Sequence, residues 1–281
     1  MLKKALLFVF ITICSTSIYS QKKEKIKGDR NVTVRETPVN SFNKIIVGED
    51  FNVDIIEGQQ ASVFIETDDN LHDVVQFNVT DSILSFKTLK KITSFKQLSI
   101  KVIYTSSLKE IETVQNGEIS SLTSINLNDV TLKSSGSSRA FLNVKSESFQ
   151  LKSGERSKVK LNLTSGHTKL ELSDNSKLDA LVNADSMLVD LYQRSNAKLR
   201  GNLESLKVRA DNSSNMEGRE LVSKTCDVLA ETSSDVTINA TEHLILDVSG
   251  NSQIYIYDEP KITINRFSDT AKLHKKEMNK Q

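Results

Sequence analysis

The stretch Lys152–Leu163, "KSGERSKVKLNL", reads as a polar turn followed by a strand whose inward positions are Val159, Leu161 and Leu163. Nineteen residues on, the chain reads "LSDNSKLDALV" (Leu172–Val182); nineteen before, "SSGSSRAFLNV" (Ser134–Val144). Aligning this turn on one serine gives a column: Ser138, Ser157, Ser176, Ser195, Ser214, Ser234 and Ser252, with successive spacings of 19, 19, 19, 19, 20 and 18. A true repeat must also fix which flanking positions are apolar, and it does. Six residues before the anchor stand Leu132, Leu151, Leu170, Val189, Val208, Val228 and Leu246; two after it stand Ala140, Val159, Leu178, Ala197, Met216, Val236 and Ile254. The positions between them are mostly polar, as the period of two in a strand requires.

Each unit is therefore strand, polar corner, strand, corner. A period near nineteen in an all-β chain predicts a β-helix, each unit one coil, stacked about 4.8 Å from the next by backbone hydrogen bonds. A single coil buries too little to offset the ordering of its own backbone, so the units stand only as a stack. The short hydroxyl at the corner has a structural reading: it satisfies backbone groups locally and bonds to its copies along the axis.

The whole chain has 281 residues, 37% hydrophobic and 26% charged, with formal net charge +1. That balance excludes bulk attraction to nucleic acid. Two prolines and ten glycines, with Ser, Asn, Thr and Asp crowding the turns, fit many tight corners and no long amphipathic helix. Residues 42–107 lack the period but alternate in longer strands ("FNKIIVGEDFNVDIIEGQQASVFIETDDN"), and are expected to form the first layers of the same sheet system.

At the N-terminus, Lys3 and Lys4 precede an apolar run to Cys14 and a small polar stretch to Ser20. This predicts a secretory signal peptide over 1–20, since about ten apolar residues fall well short of a hydrocarbon core about 30 Å thick. Lipidation at Cys14 is set aside because Ile11-Thr12-Ile13 lacks the small residue such processing wants before the cysteine. Export then leaves Cys226 alone, so no intramolecular disulfide is expected. The expected organisation is a signal peptide (1–20), a charged, loose leader (21–33), a solenoid domain (34–274) and a polar tail (275–281), in the periplasm or at the cell surface. No further segment is long and apolar enough to span a membrane.

Together, "FNKIIVGEDFNVDIIEGQQASVFIETDDNL", "LSIKVIYTSSLKEIETVQNG", the recurring Ser/Gly/Asn/Asp corners and "VSGNSQIYIYDEPKI" resemble the head GIN domain family of auto-transporter adhesins from Bacteroidetes-type bacteria. The resemblance covers roughly residues 34–274. It implies a secreted right-handed β-helix without established catalysis, and supplies no active-site residues to carry over. The family's corners are commonly richer in glycine, of the type Gly-Ser-Gly-Asp; here they read Ser-Gly-Glu-Arg and Asp-Asn-Ser-Ser.

Chemistry-bearing residues are sparse. His167 and His243 fall four coils apart, roughly 19 Å at the coil step, too far to share a metal; His72 and His274 are scattered. Cys226 shares the inward column of Leu206 and Leu244 and reads as a buried, inert thiol. No metal site, cofactor or catalytic residue is expected. A polysaccharide-binding or -degrading β-helix is the alternative, and it would need carboxylates converging from adjacent coils. Glu155 and Asp174, both two before the anchor, are the one such acidic pair. A modest basic stripe, Arg139, Lys158, Lys160, Lys177 and Lys198, offers a surface for an anionic glycan or an envelope protein. Five before the anchor, Lys133, Lys152, Glu171, Asp190 and Arg209 are placed to pair between coils and to discourage register slips. The reading is a secreted, non-enzymatic β-solenoid serving as an adhesin-like interaction module; its oligomeric state is open.

Overall fold

The computed structural model describes residues 23–277, and within them the protein is all-β apart from one short 3-10 turn, Asp69–Leu71. The expected signal peptide and Cys14 lie outside the described residues. The repeat is a β-solenoid. Strands Arg139–Ser153, Lys158–Leu172, Lys177–Leu191, Asn196–Ala210, Asn215–Ala230 and Asp235–Val248 each occupy one coil and pair in parallel with the next. The apolar columns superpose as the period requires: Ala140 lies opposite Val159, Val159 opposite Leu178, and Leu151 opposite Leu170. Within each coil one residue drops out of the ladder (Glu147, Gly166, Asp185, Glu204), dividing the strand into a first run such as 158–165 and a second run such as 167–172. The inward side chains of both runs are buried in one continuous core.

The corners explain the sequence around the anchor. The residue two before it has a left-handed backbone in every coil: Gly136, Glu155, Asp174, Gln193, Asn212, Thr232 and Gly250 have φ between 52° and 72°. Glycine adopts this region without strain, and side-chain-bearing residues pay for it. The anchor serine closes the turn by donating its N–H three residues back, as from Ser157 to the Gly154 carbonyl (3.2 Å). Its own carbonyl accepts from the next coil, as Ser157 does from Lys177 N–H (3.0 Å). All seven anchors are buried, at most 1% exposed. Ser157 Oγ donates to the Gly154 carbonyl (2.7 Å) and meets Ser153 Oγ (2.8 Å), and Ser214 meets Ser234 (3.3 Å). The column is structural, as its spacing predicts.

The twenty-residue coil after Ser214 absorbs its extra residue as a β-bulge: one residue separates Lys198 from Arg200, and two separate their partners Glu217 and Glu220. The following coil is one residue short and restores the column at Ser252.

The head belongs to the same sheet system, as its alternation predicts. Lys44–Val47 and Asn52–Glu57 stack in parallel on Glu110–Thr113 and Glu118–Ser121. Beyond them, Leu98–Tyr104 carries the antiparallel strands Ser62–Asp68 and Val32–Pro38, and Ile83–Thr88 carries Val75–Thr80. The leader is not loose from residue 23 onward. Lys25–Lys27 pairs with Lys91–Ser94, and the buried Asp68 carboxylate accepts from the N–H groups of Arg30 (3.0 Å), Lys96 (3.0 Å) and Gln97 (3.3 Å). At the other end, Lys272–Lys275 adds a further layer on Gln253–Tyr257.

Candidate functional site

The core is filled by side chains, so the residues available for chemistry project outward from the runs and corners. On the first run the outward positions lie one, three, five and seven after the anchor. The register stacks Arg139, Lys158 and Lys177 directly on one another at one after it. At three after it the stack is Phe141, Lys160, Asp179 and Lys198. The five residues of the basic stripe are thus gathered on one sheet face over four successive coils.

Further neighbours complete this face. Phe141 and Lys160 meet as a cation–π pair, the ammonium 5.8 Å from the ring centre. Arg200 reaches back to Asp179 (2.7 Å), cancelling the acid within the stripe. With Asn143, Asn162 and Leu181 these residues line a shallow groove of about 440 Å³. Arg139 pairs with Glu118 (3.4 Å) and Lys198 with Glu217 (3.7 Å), at the two ends of the stripe. Lys158, Lys160 and Lys177 form no ion pair among the described residues. The sequence signal that finds the lining is the outward offset of five, which reads Asn143, Asn162, Leu181, Arg200.

The acidic pair has a different setting. Glu155 and Asp174 occupy the left-handed corner position of adjacent coils, and Asp174 Oδ2 accepts from Ser173 Oγ (3.0 Å) and from the Glu155 N–H (3.3 Å). That carboxylate is engaged in bracing the corner. His167 and His243 share one outward column, four coil steps apart through Ser186, Ser205 and Thr225, and His167 Nδ1 lies 2.8 Å from Ser186 Oγ. Cys226 is buried between Leu206 and Leu244; burial, then the charge of Asp227, pushes its thiol pKa far up, which keeps it protonated and unreactive. Of the column five before the anchor, Lys133 alone makes an ion pair among the described residues, to Glu110 (2.8 Å); Lys152–Glu171 and Asp190–Arg209 stand opposite without closing one.

The head holds a further polar cluster: Thr33 Oγ1 donates to Asp69 (3.0 Å) and lies 2.9 Å from His72 Nε2, with Arg35 on Asp69 (3.2 Å). Because the Thr33 proton goes to the carboxylate, His72 is the donor to Thr33. The hydroxyl is not activated as a nucleophile, and the cluster ties the 3-10 turn to the edge strand.

Fold and surface together define a single-chain β-solenoid with a filled interior and outward ladders. The family described as "Putative auto-transporter adhesin, head GIN domain" matches residues 41–180 and 147–260, and the chain belongs to it. Among solved structures, the chain is similar to a putative adhesin from Parabacteroides distasonis ATCC 8503, with 19% identity, a TM-score of 0.63, and coverage of 89% of this chain and 100% of that one. It is also similar to a putative adhesin from Parabacteroides merdae ATCC 43184 (15% identity, TM-score 0.60, 90% and 99% covered). A third similar structure, from Parabacteroides distasonis ATCC 8503, is titled a putative lipid binding protein (16% identity, TM-score 0.55, 90% and 97% covered). At these identities the likeness is one of fold. No curated protein matches the chain.

Proposed function

We propose that the protein is a secreted, non-enzymatic adhesin-like module that works at the cell envelope or surface through the outward faces of its coils. One observation carries this reading: inward positions are filled along the stack, while exposed cations gather on one face of four adjacent coils. Family membership and the adhesin titles of the two solved structures support the same role. The apolar run over residues 5–14 supports export.

A lipid carrier, suggested by the third structure's title, needs an interior to hold an acyl chain; here Leu161, Leu163, Leu170 and Leu172 and their copies occupy it. The Glu155–Asp174 pair has a structural use instead: Asp174 accepts from Ser173 Oγ and from the Glu155 N–H and braces its corner.

The test is protease shaving of intact producing cells, with lysed cells as control and peptides from residues 42–270 followed by mass spectrometry. Release from intact cells is the expected result for a surface module. Protection until lysis restricts the role to the periplasm, and no peptide from lysed envelopes overturns export. Polysaccharide degradation by the purified protein, abolished by Glu155→Gln with Asp174→Asn, overturns the non-enzymatic reading.

A further inference from the structure

Charged ladders in this protein are mostly complementary. Lys44 and Lys133 both contact Glu110, Arg139 contacts Glu118, Lys207 contacts Asp227, and Lys224 contacts Glu204, each pair spanning neighbouring layers. The column Arg139–Lys158–Lys177 breaks that rule beyond its first member: Arg139 has Glu118, whereas neither lysine forms an ion pair among the described residues. Three cations stand directly opposite one another on parallel strands, at steps of about 4.8 Å, an arrangement that destabilises a sheet. Lys160 adds a further charge two residues from Lys158 on the same outward face. Asp179, which stacks on Lys160, is already taken by Arg200. A chain with net charge +1 has no excess of cations to distribute, so their concentration here is local.

From the two unpaired lysines of this column and the groove beside it we infer that the first-run face of the coils from Arg139 to Asn202 binds an acidic polysaccharide lying along the solenoid axis. A polyanion relieves the stacked repulsion that the protein itself leaves unpaired. Its repeat also fits, because a pyranose residue in an extended chain advances by close to one coil step. The groove supplies what sugar rings need besides charge: the amides of Asn143 and Asn162 both donate and accept toward hydroxyls, and Phe141 and Leu181 offer apolar surface to C–H faces. This inference rests on the surface-interaction reading above and names its ligand class.

The test uses purified protein with alginate and dextran sulfate as acidic probes, neutral dextran as control, and vesicles of phosphatidylglycerol in phosphatidylcholine. Binding is measured at low and at physiological ionic strength. The expected result is binding to at least one acidic polymer and none to dextran. Lys158→Gln with Lys177→Gln should weaken binding about tenfold or more and flatten its salt dependence. The same double variant should hold or raise the thermal midpoint, because it removes a repulsive stack. Lys152→Gln with Lys169→Gln, on the second run, should leave binding unchanged. The inference is overturned by no binding to either acidic polymer at low salt, by equal loss in the second-run variant, or by binding to vesicles in preference to the polymers. Protection from shaving until lysis, with alginate binding by the purified protein, confines the module to the periplasm and leaves this inference standing.

Discussion

From Ser138 to Ser195 the corners, the apolar positions and the ladder bonds recur from one coil to the next, and the register shifts only in the two pairings that follow. In the head, residues 23–104, single groups hold several segments at once. Asp68 ties the approach to the first edge strand to the loop at Lys96 and Gln97. Glu49 binds Lys23 (3.1 Å) and both the N–H (3.1 Å) and hydroxyl (2.6 Å) of Thr88. Phe86 meets both Phe51 and Phe77, with ring centres 5.9 and 6.3 Å away. Repetition spreads stability over many equivalent small terms, while the head closes the stack with antiparallel strands and a few residues without substitutes. Damage to a coil is therefore expected to be local and graded, and damage to a head clamp to release whole segments.

The largest effect is expected where a coil residue behaves like a head residue. Gly201 has φ of +117°, and a Cβ there would sit 2.0 Å from the Val182 carbonyl oxygen of the coil below. Gly201→Ala should cost roughly 3 kcal/mol or more in urea unfolding, by combining backbone strain with a backbone clash. A cost near zero would mean the layers can part there freely.

Next comes the head clamp. Burial pushes the Asp68 carboxyl up, but the N–H groups of Arg30, Lys96 and Gln97 outweigh it and hold its pKa below the ordinary carboxylate range. Its stabilising contribution is therefore complete above the unfolded value of about 3.9, and is lost as pH falls through the depressed folded value. Asp68→Asn should lower the thermal midpoint at neutral pH, with the gap from the parent closing in acid. Hydrogen exchange should quicken at residues 28–31 and 95–97 while the coils keep their protection; uniform quickening along the chain would erase the distinction between the two regions.

Two smaller predictions probe equivalence within the coils. Ser157 Oγ is bonded to Gly154 and Ser153, whereas the buried Ser195 Oγ has no partner among the described residues. Ser157→Ala should cost about 1 kcal/mol and Ser195→Ala nothing or less, because the second removes an unsatisfied buried group. Equal costs would show that the serine column acts through shape and not through its hydrogen bonds. Smallest is Gln193→Gly at a left-handed corner (φ 52°), expected to gain about 0.5–1 kcal/mol in equilibrium unfolding.

The coils were legible in the sequence because their constraints are local and repeated. A turn that needs the same backbone at each layer writes a serine at a fixed offset, and a core written by alternation needs no knowledge of partners. The left-handed position was harder to see, since Glu155, Asp174, Gln193 and Thr232 share no chemistry; they share only a backbone angle. The stripe was legible as Arg139, Lys158, Lys160, Lys177 and Lys198, but the groove needed Arg200 to lean back on Asp179, which composition does not record. Least legible was the segment after residue 22. Its lysines suggest a solvated leader, yet Lys25–Lys27 pairs with residues more than sixty positions away and Asp68 reaches back across 38. Such pairings leave no period to read.

The compensated pair of coils, one a residue long and the next a residue short, has a consequence for how this chain can change in length. The extra residue of one layer is taken up as a bulge, the next pairing carries two register shifts of its own, and the serine column is back in step at Ser252, 38 residues after Ser214. The same logic makes the whole layer a unit of measure. Adding or removing one nineteen-residue copy would move the C-terminal edge by about 4.8 Å relative to the head, with every column still in step. The solenoid is in this sense a graduated spacer, whose reach is set by counting.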